Sequence, residues 1–79
     1  MRLDKYLKVS RIIKRRTVAN EACDAGRVEV NGKVARASYD VKVGDKIKVS
    51  LGQNERIYEV VAVNEHALKE DAVNMYKIL

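Results

Sequence analysis

The chain has 79 residues, 47% of them hydrophobic, and carries 16 Lys and Arg against 11 Asp and Glu, for a net charge of +5. Length and composition predict one small folded domain over residues 1–79. The longest apolar run, residues 60–63, is too short to cross a bilayer, and the chain starts without an apolar signal segment. A single cysteine excludes an intrachain disulfide. We therefore expect a cytoplasmic binding protein without a membrane segment, cofactor or metal.

The positive charge is concentrated near the N-terminus. Between residues 2 and 16 the chain has seven cations and one acid, Asp4, so this stretch alone has a charge of +6. A helix gains nothing from such self-repulsion, and the commonest partner for such a cluster is a nucleic-acid phosphate backbone. The alternative is a solvated helix face that happens to be basic. The cations are Arg2, Lys5, Lys8, Arg11, Lys14, Arg15 and Arg16.

Two helices are predicted in the first third of the chain. Leu3 and Leu7 are spaced i, i+4, and the pattern leaves open whether residues 2–13 form one helix or two. Thr17 is a start signal for the second helix, and Gly26 is typical of its end. The residues on the predicted apolar face of the first helix are Leu3, Tyr6, Leu7, Ser10 and Ile13.

The second helix is predicted to pack closely against its neighbour, because its apolar stripe consists mostly of small residues. Val18, Ala22 and Ala25 share this stripe, and Ala19 and Cys23 lie beside it. Cys23 has no His or second Cys nearby in the sequence. A small buried core residue is therefore a better interpretation of it than a nucleophile or redox thiol.

Alternation with a period of two then predicts a small antiparallel sheet. Asn31-Gly32, a strong hairpin signal, joins alternating residues 27–30 and 33–36. A third strand is predicted over 46–51, and the longest strand over 56–63. On the former, the residues predicted to face inward are Ile47, Val49 and Leu51. On the latter, Ile57, Val61 and Val63 are predicted to share one side.

The C-terminal segment 71–79 predicts a short helix or turn that closes one end of the sheet, or alternatively a docking surface for a partner. His66, in the polar segment before it, has no partner at ligand spacing and is interpreted as an exposed residue. The order of elements predicts an α+β fold with two helices, a small antiparallel sheet and a short C-terminal helix. The residues on the C-terminal helical stripe are Ala72, Met75, Tyr76 and Leu79.

Four motifs, in this order, resemble the RNA-binding S4 domain, which is named after a protein of the small ribosomal subunit. The resemblance covers residues 2–51 and implies two helices, packed on a small antiparallel sheet, that present an RNA-binding surface. Many S4 domains have Ser or Thr where Arg15 stands, so the cap of the second helix is expected either to come from Thr17 or to be lost, at a cost of about 1 kcal/mol. The motifs are Arg2-Leu3-Asp4-Lys5-Tyr6-Leu7, Arg16 with Ala19, Gly26-Arg27-Val28-Glu29-Val30-Asn31-Gly32, and Val43-Gly44-Asp45-Lys46-Ile47-Lys48-Val49.

Within this family the chain is most similar to the stand-alone factors of bacterial ribosome-associated quality control, in residues 3–11, 13–17 and 74–79. This similarity implies binding to rRNA of a large ribosomal subunit that still carries peptidyl-tRNA. It also implies contact with that tRNA and cooperation with an alanine-adding partner of the RqcH type. The protein would then be a monomeric clamp that makes no bond itself.

Three alternatives remain. A heat-shock S4 protein would bind dissociated large subunits, but such proteins usually have a basic C-terminal extension that is missing here. An enzyme is disfavoured because the sequence has no Ser/His/Asp set, carboxylate pair, Gly-rich phosphate loop or metal cluster. A helix-turn-helix DNA-binding protein is disfavoured because the charge lies mainly on the first helix.

The resemblance places Arg2 and Arg16 on facing helices, so they are the first candidates for RNA contacts that use the planar fork of arginine. Asp4 is expected to orient Arg2 or a neighbouring amine rather than to repel RNA. For Asn31, a positive φ in the hairpin turn is a better interpretation than an RNA contact. Further positive charge for the RNA-binding surface is expected from Lys5, Lys8, Arg11, Lys14, Arg15 and, at its edge, Arg27.

Overall fold

The computed structural model describes residues 1–65 and 68–79, which form two N-terminal helices, an antiparallel sheet and a short helix near the C-terminus. The strands are ordered β2-β1-β3-β4-β5 in the sheet. This arrangement confirms the predicted α+β fold, and none of its described helices is long and apolar enough to cross a membrane. The elements are α1 (Leu3–Val9), α2 (Arg16–Asp24), β1 (Val28–Val30), β2 (Lys33–Val34), β3 (Lys46–Leu51), β4 (Asn54–Val60), α3 (Lys69–Ala72) and β5 (Tyr76–Ile78).

The core lies between the two N-terminal helices and the inner face of the sheet. Val28 and Ile47 contribute fully buried side chains from β1 and β3. The predicted apolar face of the first helix is confirmed, since each of its five residues is buried: Leu3, Tyr6, Leu7, Ser10 and Ile13.

Helix α1 is one short helix, which answers the question that the sequence left open. It ends at Val9, and Arg11 follows the Ser10 cap with a φ of 64°. The Arg11 amide donates to the Lys8 carbonyl at 3.1 Å, and the Ile13 amide donates to the Leu7 carbonyl at 3.0 Å. These bonds satisfy carbonyl groups that the helix end would leave without partners.

Helix α2 begins at Arg16, so Thr17 does not cap it, and the alternative expectation of a lost side-chain cap is confirmed. Arg15 occupies the cap position with an extended backbone, and its side chain makes no capping hydrogen bond. Thr17 lies inside the first turn and therefore cannot accept the first amide protons of the helix. The predicted end is confirmed: Gly26 has a φ of 74°, and its amide and that of Arg27 donate to Cys23 and Ala22. Together these bonds form a Schellman motif.

The buried stripe of α2 differs from the predicted one. Ala19, Ala22 and Cys23 are buried, whereas Val18 is 43% exposed and Ala25 is also exposed. The difference follows from the contact with α1, because Arg16 and Asn20 turn toward Asp4 and bring the side of Ala19 and Cys23 inward. Cys23 is a core residue as predicted, and burial raises the pKa of its thiol to about 11.

The predicted hairpin and third strand are confirmed, except for Leu51. Asn31 and Gly32 both have positive φ, and this pattern defines a type I′ turn between β1 and β2. In β3, Ile47 and Val49 are buried, but Leu51 is 41% exposed because it lies in the last pair of the strand, beside the Gly52 turn.

Strand β4 is the longest described strand, but it occupies Asn54–Val60 rather than the predicted 56–63. The sequence left open which face of the sheet Ile57, Val61 and Val63 share. Ile57 pairs with Lys48 of β3, so once Ile47 and Val49 point inward, Ile57 must lie on the outer face with Lys48. The exposed fractions of the three predicted residues are 41% for Ile57, 47% for Val61 and 37% for Val63, whereas Val60 is buried.

The C-terminal segment contains the predicted short helix, which is followed by a strand that the sequence did not predict. Helix α3 ends at Ala72, and Tyr76–Ile78 pairs with the free edge of β4. Met75 is buried between them, and its carbonyl accepts a hydrogen bond of 2.7 Å from the Tyr6 hydroxyl. This bond ties α1 to the C-terminal part of the sheet. His66 lies outside the described residues.

Gly26→Ala tests the left-handed end of α2. We expect this substitution to lower the free energy of unfolding by about 1 kcal/mol, because an L-residue with a Cβ is disfavoured at this φ. The new methyl group would meet only a Val34 methyl carbon at 3.9 Å, so crowding adds little. Urea denaturation measures the difference. Gly26→Asn is the matched control and should cost less, since Asn tolerates positive φ; an equal loss in both variants would contradict this explanation.

Candidate RNA-binding surface

Asp4 is a buried carboxylate in the first turn of α1, with 2% of its surface exposed. Its Oδ1 accepts hydrogen bonds from the Lys5 amide at 2.8 Å and from Arg2 Nε at 3.2 Å. Its Oδ2 accepts from Asn20 Nδ2 at 3.2 Å and from Arg16 Nε at 3.4 Å. We refer to Arg2, Asp4, Arg16 and Asn20 as the Asp4 cluster. It joins the start of α1 to the start of α2.

The carboxylate of Asp4 stays ionised at neutral pH. Burial alone would raise its pKa, but the hydrogen bonds from Asn20, Arg2, Arg16 and the Lys5 amide outweigh burial and lower the pKa below its usual value of 3.8. A buried anion is costly without such partners. The negative charge of Asp4 thus holds two arginine side chains in fixed positions.

Arg2 and Arg16 are held at the surface and are not buried. Their side chains are 51% and 48% exposed, respectively. The hydrogen bonds to Asp4 use Nε of each guanidinium group, and within residues 1–65 and 68–79 the outer nitrogens of the two forks make no further hydrogen bond. Two arginines arranged in this way can each engage a phosphate through two parallel N–H donors, or stack on an unpaired base. The expected role of Asp4 in orienting Arg2 agrees with this geometry, which extends it to Arg16.

Lys5 and Arg15 differ in their surroundings. Lys5 is partly buried, and its ammonium group lies 3.8 Å from a carboxylate oxygen of Glu65. Arg15 is exposed at the cap of α2. Three further cations are exposed and line one surface depression together with Val9. We call them the turn cations: Lys8, Arg11 and Lys14.

Arg27 and Asn31 lie apart from the Asp4 cluster. Arg27 is exposed directly after the C-terminal end of α2, whereas Arg16 is at its N-terminal end. Asn31 has the predicted positive φ of 53°, and its side chain donates to Asp45 and accepts from the Lys46 amide, each at 3.0 Å. Its side chain therefore supports the hairpin and β3, as the structural interpretation expects.

Two members of this surface were missed by sequence reasoning. Asn20 completes the Asp4 cluster, and Glu65 pairs with Lys5 from a distant part of the chain. A signal for Asn20 was present, because Asn20 follows Arg16 by one helical turn and therefore lies on the same side of α2. No local pattern in the sequence identifies Glu65, because its contact with Lys5 depends on the path that the chain takes after β4.

Asp4→Asn tests whether the carboxylate holds the two arginines. We expect a loss of about 1–3 kcal/mol in the free energy of unfolding at pH 7, because the buried donors lose a charged acceptor. The pKa of Asp4 is lowered by folding, so its contribution is complete above the unfolded value and is lost as pH falls through the lower native value. The difference between the two proteins should therefore shrink below pH 3.8.

Urea denaturation of both proteins between pH 7 and pH 3 measures this effect. Asp24→Asn, which removes an exposed carboxylate at the end of α2, is the matched control for the change in charge. RNA binding gives a second measurement. If Asp4→Asn binds RNA more tightly than the wild type, as its extra positive charge alone would predict, then Asp4 does not orient the arginines.

Comparison with known proteins shows which family this chain belongs to. The model of the S4 domain family matches residues 1–47. The chain is 52% identical over 79 residues to the RQC P-site tRNA stabilizing factor of Streptococcus pneumoniae, covering 100% of this chain and 90% of that protein. It is 53% identical over 79 residues to the RQC P-site tRNA stabilizing factor of Bacillus subtilis, covering 100% of this chain and 92% of that protein.

Among solved structures, the trimeric structure of Vibrio cholerae Heat Shock Protein 15 has the same fold, with a TM-score of 0.91 and 28% sequence identity. The similarity covers 100% of this chain and 81% of the Vibrio chain. The match to the domain model and the identity along the full chain lead to the same conclusion. The chain belongs to the S4 domain family and, within it, to the family of RQC P-site tRNA stabilizing factors.

Proposed function

We propose that this protein acts in ribosome-associated quality control by stabilising tRNA in the P site of the large ribosomal subunit. The protein binds a subunit that still carries obstructed peptidyl-tRNA and contacts rRNA and tRNA together. It holds the tRNA while a partner of the RqcH type adds a C-terminal alanine tail to the nascent chain. Its contribution is binding and positioning, and the peptidyl-transfer chemistry belongs to the ribosome.

The observation that carries this proposal is the identity of about half of all residues, along the full chain, with P-site tRNA stabilizing factors. The geometry of the Asp4 cluster supports it. Two half-exposed arginines, fixed by one buried carboxylate, suit a rigid RNA ligand of defined shape better than a flexible one. The neighbouring cations add attraction to the phosphate backbone, which RNA of any sequence provides.

The residues proposed to contact RNA are the eight basic residues expected from the sequence. Arg2 and Arg16 are proposed to contact RNA through their guanidinium forks, and Arg27 lies at the edge of the surface. We further propose that residues 1–79 act as one domain, as a monomer and in the cytoplasm, where ribosomes are found. The remaining proposed contacts, which supply charge, are Lys5, Lys8, Arg11, Lys14 and Arg15.

A second candidate function is that of a heat-shock S4 protein that binds dissociated large subunits. The close structural similarity to Heat Shock Protein 15 favours this candidate, since the two folds superpose over the whole of this chain. The sequence identity argues against it, because 28% with that protein is far below the 52% with the tRNA stabilizing factor of Streptococcus pneumoniae. We therefore place it second.

Arg16→Ala tests the role of the Asp4 cluster in RNA binding. We expect affinity for large subunits carrying peptidyl-tRNA to fall about tenfold or more, because one charge-assisted contact is worth about 1.5–3 kcal/mol. The free energy of unfolding should change by about 1 kcal/mol or less, since Asp4 keeps Arg2, Asn20 and the Lys5 amide. Arg2→Ala should behave in the same way.

Sedimentation with purified subunits measures the affinity, and thermal denaturation measures the stability. If about five phosphates are neutralised, wild-type affinity should fall several-hundred-fold between about 50 and 200 mM salt. Lys77→Ala, which removes an exposed cation on β5, is the control and should bind as the wild type does. A large loss of stability in Arg16→Ala would show that this arginine is structural and not an RNA contact.

Affinity purification of the tagged protein from cells distinguishes the two candidate functions. The first predicts that large subunits are recovered together with peptidyl-tRNA and with the alanine-adding partner. Sequencing of the bound RNA and mass spectrometry of the bound proteins provide the measurement. Recovery of large subunits that lack tRNA, without that partner, would instead support the heat-shock function.

A further inference from the structure

The turn between α1 and α2 contains an arginine in a backbone conformation that favours glycine. Arg11 has a φ of 64°, directly after the Ser10 cap of α1. The equivalent position after α2 is occupied by Gly26, with a φ of 74°. A side chain with a Cβ is disfavoured in this region, and residues that remain there often serve a function. The same structural position thus carries glycine after one helix and a charged residue after the other.

Arg11 also belongs to a group of cations without acidic partners. In residues 1–65 and 68–79, the structure pairs Arg2 and Arg16 with Asp4, and Lys5 with Glu65. The same part of the chain offers no carboxylate within 4.0 Å of the side-chain nitrogens of the turn cations Lys8, Arg11 and Lys14. All three are exposed and line one depression with Val9. Their charges are not compensated within the described protein, so they add to an attractive field for an anion.

We propose that Lys8, Arg11 and Lys14 form a second RNA phosphate site, separate from the Asp4 cluster, and that Arg11 tolerates its left-handed backbone to line it. The inference rests on the proposed function and deepens it, because it assigns a backbone phosphate of the bound RNA to this depression. The arginine fork supplies two parallel donors to one phosphate, and the two lysines supply charge around it. The protein then holds its RNA at two places on one helix pair.

Two substitutions of Arg11 separate the effect of its backbone conformation on stability from the effect of its charge on binding. Arg11→Asn removes the charge and keeps a residue that tolerates positive φ, and Arg11→Gly removes the charge and the steric conflict together. Both variants should weaken binding to large subunits several-fold. Their plots of log affinity against log salt should be shallower by about one, as expected for one lost phosphate contact. The thermal midpoint of Arg11→Gly should equal or exceed that of the wild type.

The binding of wild type, both variants and the control Lys77→Asn is measured between 50 and 200 mM salt, to subunits carrying peptidyl-tRNA and to purified large-subunit rRNA. Wild-type affinity and salt dependence in both Arg11 variants would overturn the phosphate site. A fall in thermal midpoint for Arg11→Gly would also overturn it, because Arg11 would then be structural.

The same experiment separates this inference from the proposed function. If Arg16→Ala weakens subunit binding and the Arg11 variants do not, the function stands and the second site falls. If the wild type binds purified rRNA but not the subunits, the proposed function falls. The Arg11 variants then still decide whether the depression holds a phosphate, through their affinity and salt dependence with that rRNA.

Discussion

The structure depends on one buried negative charge. Asp4 must be compensated because an unpaired carboxylate in a protein interior is strongly unfavourable, and this chain compensates it with donors from both helices. Satisfying the carboxylate fixes how α2 lies against α1. It also fixes two guanidinium groups at the surface with part of each fork free. The stability of the helix pair and the shape of the proposed RNA-binding surface therefore have the same physical origin.

In the proposed RNA-binding surface, positive charge would serve two purposes. Asp4 orients Arg2 and Arg16, and its negative charge partly cancels their electrostatic field. Their proposed contribution to binding is therefore the fixed orientation of their donors. The turn cations have no carboxylate within 4.0 Å among the described residues, and we propose that they provide long-range attraction. A surface that combines both kinds can attract an RNA at a distance and then accept it in one orientation. With the oriented arginines alone, association with RNA would be slower. With the unpaired cations alone, the orientation of the bound RNA would be less specific.

Much of the fold could be predicted from the sequence, because local signals decide it. The Asn31-Gly32 turn, the Gly26 helix end and the inward positions of Ile47 and Val49 all follow from short patterns. The face of β4 could not be predicted, since its parity is set by pairing with β3 and overrides the apolar character of Ile57. The strand at Tyr76–Ile78 forms only because an edge of β4 is open. At the site, the cations were evident, but their division between paired and unpaired groups depends on tertiary contacts.

The hydrogen bond between Tyr6 and Met75 joins residues 69 positions apart. Tyr6 is the largest fully buried side chain in the described residues, so α1 has its complete surroundings only after residues up to Met75 have been synthesised. Contacts of such long sequence separation carry the entropic cost of closing the chain between them, and they slow folding. Loss of the contact at Met75 therefore weakens a helix that begins at residue 3.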